Sequence, residues 1–479
     1  MTDQKTEAYF DEWVEREAVA ERMIPVIGKL YREHGVVITV FDRSLVLSSP
    51  VDILSAHRYS RRIHELSIQF GATIVEELNK LNLVSSRIDI GKLAQRFHAQ
   101  PQGTILADFV RSELADINVG KRRGQKDPQD IVLYGFGRVG RMLARILIER
   151  SGGGDKWRLR AVVVRRQYPG DLQKRGSLLR RDSVHGPFKG TIQLDEEENG
   201  LVVNGNLMRL LYAETPDQID YTEHGIENAI VLDNSGAWDD REGLEAHFEA
   251  KGVSKVILTA PGKGDIPNII YGVNNADIRP EERLYSAASC TTNAIVPVLK
   301  VMDDRFGIEH GHLDSCHSYT NDQNLIDNFH PKSRRGRGAP LNMVITETGA
   351  ARAVAKSLPQ LEGKLTANAI RVPTPNVSLA ILKLSLSQST TQEEVNEYLK
   401  GISLDSPLQG QIDYTTSTEV VSSDFIGSLN TGIVDGTSTI VQGNHCVLYV
   451  WYDNEFGYAC QVVRIVQHIS GLELPSYPQ

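Results

Sequence analysis

An apolar run, Ile131-Val-Leu-Tyr134, ends in Gly135-Phe-Gly137-Arg-Val-Gly140, and apolar residues resume at helical spacing through Met142-Leu-Ala-Arg-Ile-Leu-Ile148. A strand, a Gly-x-Gly-x-x-Gly turn and a helix in that order leave few folds open. The first glycine permits a tight turn, the second lets the backbone approach a pyrophosphate, and the third lets helix and strand pack closely. The helix N-terminus then directs unpaired N–H groups at the anion. Glycine spacing alone is weak evidence, but the motif requires a strand before it and a helix after it, and both are present here. Gly135, Gly137, Arg138, Val139 and Gly140 are therefore candidate dinucleotide contacts.

The text that follows repeats this alternation. Arg160-Ala-Val-Val-Val-Arg-Arg166, Ala229–Gly236 and Lys255–Pro261 read as strands, with helical text such as Arg241–Lys251 between them. Strands alternating with helices predict a parallel sheet covered on both faces. The expected fold is α/β, with a Rossmann-type, doubly wound nucleotide domain over residues 128–288. Thr259, at the end of one strand, joins the cofactor-binding candidates. Beyond residue 288 the texture changes. Leu379–Ser387 and Cys446–Trp451 read as strands of a mixed sheet, and Thr391–Leu399 reads as a helix capped by Thr391 with Glu394 three residues on.

Residues 1–127 form a separate unit of unknown role. Tyr9, Trp13, Ala18, Met23, Ile27 and Leu30 recur at helix-like spacing. Val36–Phe41 suits a short strand, and Ser55–Leu83, Ile90–Phe97 and Thr104–Leu114 read as helices. A basic, breaker-rich stretch, Gly120–Pro128, links this mainly helical extension to the rest.

Composition excludes several classes. A hydrophobic share of 41% and a charged share of 24% are ordinary for a globular protein. A net charge of −9 argues against general binding to nucleic acid or anionic membranes. Four cysteines in 479 residues are no disulfide framework, and their spacing lacks a zinc pattern, so no metal is expected. The N-terminus has no apolar signal core, and no run approaches the ~20 residues of a membrane-spanning helix. A cytoplasmic location, where thiols stay reduced, follows as the expectation.

One thiol stands apart. Cys290 lies in Ser286-Ala-Ala-Ser-Cys-Thr-Thr-Asn293, just before the apolar run Ala294–Met302. With Ser289 as cap, Cys290 falls in the first turn of a helix, whose N-terminus lowers a thiol pKa. A lone cysteine is usually a small buried hydrophobe. A second segment, Asp314-Ser-Cys-His-Ser-Tyr-Thr-Asn-Asp-Gln323, supplies His317 as a candidate base.

Ala288–Asn293 and His317–Gln323, with Arg371-Val-Pro-Thr-Pro-Asn-Val377 and Trp451-Tyr-Asp-Asn-Glu455, resemble in order the motifs of the glyceraldehyde-3-phosphate dehydrogenase family. The resemblance runs from about Asp130 to the C-terminus. It implies that residues 289–449 form an α+β catalytic domain with a mixed sheet, and that 450–479 returns to the nucleotide domain through a helix near Gly457–Ser470. It implies a phosphorylating aldehyde dehydrogenase that uses Cys290 as nucleophile and His317 as base. Glyceraldehyde 3-phosphate and inorganic phosphate would be the substrates. Thr320 and Arg371 match positions that hold the substrate phosphate. Ser289, Thr291, Thr348 and Gly349 match the inorganic-phosphate site, and Arg335 matches an arginine near both anions. Asn454 matches the holder of the nicotinamide carboxamide, and Tyr458 stands where an aromatic packs on that ring or simply in the core. The family is typically a homotetramer.

The chain also departs from the family pattern. Tyr134 replaces the usual Asn, and Ala294 replaces a common second cysteine. Arg166 stands where a carboxylate normally holds the adenosine ribose, which favours NADP or dual use of NADP and NAD. Two alternatives stay open: erythrose-4-phosphate dehydrogenase, and a catalytically weak regulatory or binding protein on the same fold.

Overall fold

The computed structural model describes residues 2–119, 128–151, 156–165 and 168–478. It divides into two compact units, Met1–Asp127 with Leu472–Gln479, and Pro128–Gly471. Among the described residues no helix is long and apolar enough to cross a membrane.

The first unit holds α1 (Thr2–His34), β1 (Val37–Val40), β2 (Arg43–Ser44), α2 (Pro50–Ser60), α3 (Ile68–Leu78), β3 (Arg87–Asp89), α4 (Ile90–His98) and α5 (Leu106–Glu113). The stripe expected along α1 is buried at Met23, Ile27 and Leu30, whereas Tyr9 and Trp13 stay exposed. The helical text expected over Ser55–Leu83 forms two helices, and Ser67 caps α3 by accepting from Phe70 N–H. The unit is mainly helical but has a small sheet of its own. Its fourth strand is Ser476–Tyr477, which pairs in parallel with Arg87–Ile88. The last residues of the chain, expected with the nucleotide domain, therefore belong to the N-terminal unit, because backbone hydrogen bonds tie them there.

The second unit opens with β4 (Gln129–Tyr134), α6 (Arg138–Glu149), β5 (Trp157–Val164), α7 (Asp171–Arg180), β6 (Ile192–Asp195), β7 (Gly200–Val203), β8 (Asn206–Tyr212), β9 (Ala229–Asp233), α8 (Arg241–Glu245), β10 (Val253–Leu258) and β11 (Leu284–Ser286). These strands form a sheet ordered β11-β10-β9-β4-β5-β8-β7-β6. The first six are parallel, as expected, but β7 runs antiparallel to both neighbours. The expected all-parallel sheet thus carries a hairpin extension, made possible by the tight turn at Asn204 and Gly205, both with positive φ.

The unit continues with α9 (Cys290–Phe306), β12 (Ile308–Ser318), β13 (Val344–Thr346), α10 (Ala350–Ser357), β14 (Leu365–Val372), β15 (Ser378–Leu386), α11 (Gln392–Leu404), β16 (Ile412–Thr415), β17 (Gly432–Asp435), β18 (Ile440–Gln442), β19 (His445–Tyr452) and α12 (Phe456–Ile469). The second sheet is mixed, ordered β13-β14-β12-β15-β19-β17-β16. Val298, Leu299 and Met302 of α9 share one core with Leu382 and Leu384 of β15 and Leu448 and Val450 of β19. The helix carrying the thiol is thereby pressed onto the sheet carrying the imidazole. Only half of the expected capping box forms on α11. Thr391 accepts from Glu394 N–H, but the Glu394 carboxylate takes the hydroxyl of Thr390. Helix α12 packs on α6, as the expected return to the nucleotide domain requires.

Candidate active site

Cys290 is the first residue of α9, and Ser289 caps the helix by accepting from Thr292 N–H at 3.0 Å. The turn before it is tight. Ala288 has φ 56°, the left-handed region that a side chain disfavours. Tyr458 holds that turn by donating its hydroxyl to the Ala288 carbonyl at 2.9 Å, and Asn293 Nδ2 donates to the Ala287 carbonyl at 2.8 Å. Tyr458 is buried on α12 and serves as a brace for the nucleophile's turn.

Strand register supplies the rest. His317 on β12 and Arg371 on β14 are paired neighbours across two parallel strands. His317 Nε2 lies 3.4 Å from Cys290 Sγ. Its Nδ1 lies 2.7 Å from the Ser318 carbonyl, which can only accept, so we assign the ring proton to Nδ1. Nε2 is then bare and faces the sulfur. Arg371 Nη1 donates to the same carbonyl at 3.1 Å and stands 2.8 Å from the same Nδ1, where a donor favours the opposite tautomer, so the assignment gives the carbonyl precedence. Burial first, and then this guanidinium, push the His317 pKa down to about 4. A neutral imidazole facing a thiol is a proton acceptor in place.

The thiol departs from expectation. The helix N-terminus and Arg371 do favour the thiolate, but burial outweighs them and raises the Cys290 pKa. Activation in this geometry therefore falls to His317 as a base rather than to the helix alone.

Around this pair the candidate anion donors cluster. Arg371 Nη1 reaches Thr320 Oγ1 at 3.4 Å, and Asp322 accepts from both Thr320 and Arg335. Arg371 is pushed below its ordinary value by burial and by the charge of Arg335. Two guanidiniums that repel each other across a shared space form a site that gains from an anion. Thr348 and Gly349 open α10, which packs on α9, and Thr348 Oγ1 accepts from Ala350 N–H at 3.2 Å. Thr291 faces inward, with its hydroxyl 3.0 Å from that of Tyr452.

The glycine turn fits a pyrophosphate. Gly135 has φ 101°, and a Cβ on it would lie 2.9 Å from the Asn234 backbone. A Cβ on Gly140 would lie 2.5 Å from the Gly135 carbonyl oxygen, whereas Gly137 faces open space. Val139 lies in the first turn of α6. Thr259 follows β10 and donates to the Asp233 carbonyl at 2.9 Å. Asn454 is buried, and its Oδ1 accepts from Ser318 at 2.8 Å and Ser378 at 3.0 Å. Arg138 differs from expectation. Asp182 and Glu455 take its whole guanidinium, which leaves its backbone N–H for a phosphate. Arg166 lies outside the described residues, and its neighbour Arg165 is exposed.

Four residues were missed in the sequence. Tyr452 bonds Thr291 and Ser315 and meets the His317 ring edge-on. Its period-2 place in β19, with the buried Cys446, Leu448 and Val450, was the available signal. Ser318 and Ser378 orient Asn454, and Asp322 occupies the donors of the anion cluster.

Two family models match the chain. The glyceraldehyde 3-phosphate dehydrogenase NAD binding domain matches residues 129–241, and the C-terminal domain of the same family matches residues 289–454. A glyceraldehyde-3-phosphate dehydrogenase-like protein of Pseudomonas aeruginosa (strain UCBPP-PA14) is 55% identical over 462 residues, covering 95% of this chain and 100% of that protein. An alignment that long takes in most of residues 1–127. Glyceraldehyde-3-phosphate dehydrogenase 2 of Bacillus subtilis (strain 168) is 38% identical over 71% of this chain and 96% of its own length. The chloroplastic glyceraldehyde-3-phosphate dehydrogenase A of Zea mays is 37% identical over 78% of this chain and 90% of its own length.

Proposed function

The chain belongs to the glyceraldehyde-3-phosphate dehydrogenase family, and from that premise we propose that it is a phosphorylating dehydrogenase of glyceraldehyde 3-phosphate. The observation that carries this reading is Cys290 Sγ within 3.4 Å of His317 Nε2, beside the paired cations Arg371 and Arg335. His317 takes the thiol proton, and the thiolate adds to the aldehyde carbon to give a hemithioacetal. The imidazolium donates to the developing oxyanion and withdraws that proton as the carbonyl re-forms. A nicotinamide cofactor would be held by Gly135, Gly137, Gly140 and Asn454 and would supply the hydride acceptor. Cys290 then carries a thioester, activated enough for inorganic phosphate near Ser289, Thr291, Thr348 and Gly349 to attack its carbonyl carbon, which releases an acyl phosphate and returns Cys290 as the thiolate.

Thr320 and the Thr348-Gly349 pair favour the triose over erythrose 4-phosphate, and the intact thiol, imidazole and anion donors favour an enzyme over a binding scaffold. A steady-state assay with both aldehydes, with and without phosphate, tests this. A preference for the four-carbon sugar, or no reduction of either nicotinamide cofactor, overturns it. A cytoplasmic homotetramer completes the proposal.

Arg371→Ala is expected to raise KM for the phosphorylated aldehyde by roughly 10- to 100-fold, the equivalent of one charged hydrogen bond of about 1.5–3 kcal/mol. Unphosphorylated glyceraldehyde should be affected much less. Equal losses on both substrates would make Arg371 structural.

Cofactor choice rests on Arg166. With no carboxylate to repel a 2′-phosphate and a guanidinium to bind it, NADP or dual use is expected. The check is the ratio of kcat/KM values for NADP and NAD in the wild type and in Arg166→Asp, which should move toward NAD. A wild type that strongly prefers NAD, with a variant no different, would refute the assignment.

A further inference from the structure

His185 is a buried histidine that the mechanism above does not use; its side chain is 3% exposed. Three carboxylates surround the ring. Nε2 lies 3.0 Å from Asp453, while Nδ1 lies 3.6 Å from Asp182 and 3.7 Å from Glu455. Each carboxylate has a second task. Asp182 receives Arg138 Nη1 at 3.0 Å and Nη2 at 3.1 Å, and Glu455 receives Arg138 Nε and Nη2 at 2.5 Å each. Asp453 accepts the N–H groups of Glu455 at 2.9 Å and Phe456 at 2.8 Å, which fixes the start of α12, and that of Gly427 at 2.8 Å. Arg138 sits in the helix turn that follows the glycines, and Asn454 lies between Asp453 and Glu455. One ring thus joins the helix of the glycine turn to both residues that flank Asn454.

The surroundings call for an imidazolium. A neutral ring has one N–H to divide among three anions and turns a lone pair toward carboxylate. An imidazolium directs an N–H to each side. Asn376 Nδ2 lies 3.2 Å from Nε2 and also hydrogen-bonds Asp453, so it supports the carboxylate that faces the ring. The opposing cations are Arg138 and, 3.9 Å from Asp182, Arg141. Phe456 packs on the ring at 5.7 Å, and Arg145, Glu149 and Lys189 line the adjoining cleft of about 490 Å³.

We propose that His185, as an imidazolium, is a positioning residue for the nicotinamide cofactor: by clamping Asp182, Asp453 and Glu455 it fixes Asn454 relative to the glycine turn. The inference rests on the reading of Asn454 as the carboxamide anchor. Burial lowers the His185 pKa, but the bond and charge of Asp453, joined by Glu455 and Asp182, prevail and raise it. A raised pKa means that the clamp is complete below the ordinary histidine pKa and is lost as pH rises through the His185 pKa.

Two measurements on the full-length protein test this. NMR titration of the His185 ring, assigned with His185→Gln, gives its pKa without cofactor. Tryptophan-fluorescence titration with NADP and NAD between about pH 6 and pH 9 gives Kd across the range where histidines titrate. The wild-type ring should titrate above the ordinary histidine value, and Kd should weaken through the same midpoint. His185→Gln should bind cofactor roughly tenfold more weakly on the acid side, with a flat pH profile, and Cys290 should be alkylated by iodoacetamide at the wild-type rate. A ring titrating below the ordinary value, or a variant with the wild-type Kd and slope, overturns the clamp. If the variant does not fold, separate midpoints for the ring and for Kd in the wild type overturn it equally. A raised ring pKa with a pH-flat Kd defeats this inference alone, whereas failure to bind either nucleotide at any pH defeats the cofactor reading beneath it.

Discussion

Cys290→Ser is expected to reduce aldehyde oxidation by at least about 10³-fold while leaving the fold intact, in keeping with the loss of a covalent nucleophile. The serine hydroxyl keeps the place of Sγ at the start of α9. The fold is preserved because the turn is held by neighbours, with Tyr458 and Asn293 bonding the Ala288 and Ala287 carbonyls. Activity is lost because an alkoxide is far harder to form than a thiolate near neutral pH. The check is steady-state turnover beside circular dichroism and a thermal melt. Turnover near wild type would end the thioester mechanism.

His317→Asn is expected to lower kcat by about 10²- to 10⁴-fold, the range of general acid–base catalysis. A second readout tests the role rather than the mere presence of the ring. Burial raises the Cys290 pKa, so a thiol without its base should ionise only at higher pH. Iodoacetamide alkylation of the variant should therefore have its midpoint displaced upward from that of the wild type. Because the His317 pKa is depressed to about 4, the wild-type ring stays neutral, with a lone pair free to accept a proton, throughout the neutral range. An unchanged alkylation midpoint, with turnover within a few-fold of wild type, would assign the base elsewhere.

What the sequence disclosed and what it concealed divide along a physical line. Local chemistry was legible: the glycine turn, the Ser289 cap and the alternation of strands and helices depend on neighbours a few residues apart. Pairings across the sheet were not. Tyr452 reaches Thr291 across 161 residues, and Arg138 reaches Glu455 across 317, and neither partner announces the other in the text. Arg138 accordingly read as a phosphate contact, although its guanidinium belongs to two carboxylates. The thiol was misjudged for a related reason. Helix position can be read from spacing, whereas the burial that outweighs it depends on strands that arrive later in the chain. In the N-terminal unit, periodicity located the helices, but nothing in residues 1–127 indicated that a strand from the far end of the chain would complete their sheet.

That strand carries a consequence for how the chain is made. Ser476 and Tyr477 hydrogen-bond to β3, so the N-terminal unit is assembled from the first and last parts of the polypeptide. During synthesis residues 1–127 emerge first, yet their sheet lacks its edge strand until some 350 further residues have been translated. The N-terminal unit thus cannot complete its sheet until residues 476 and 477 have been made. Its final backbone pairing forms only on a chain whose catalytic residues have already been made, so a truncated product bearing an intact Cys290 would lack that closing strand.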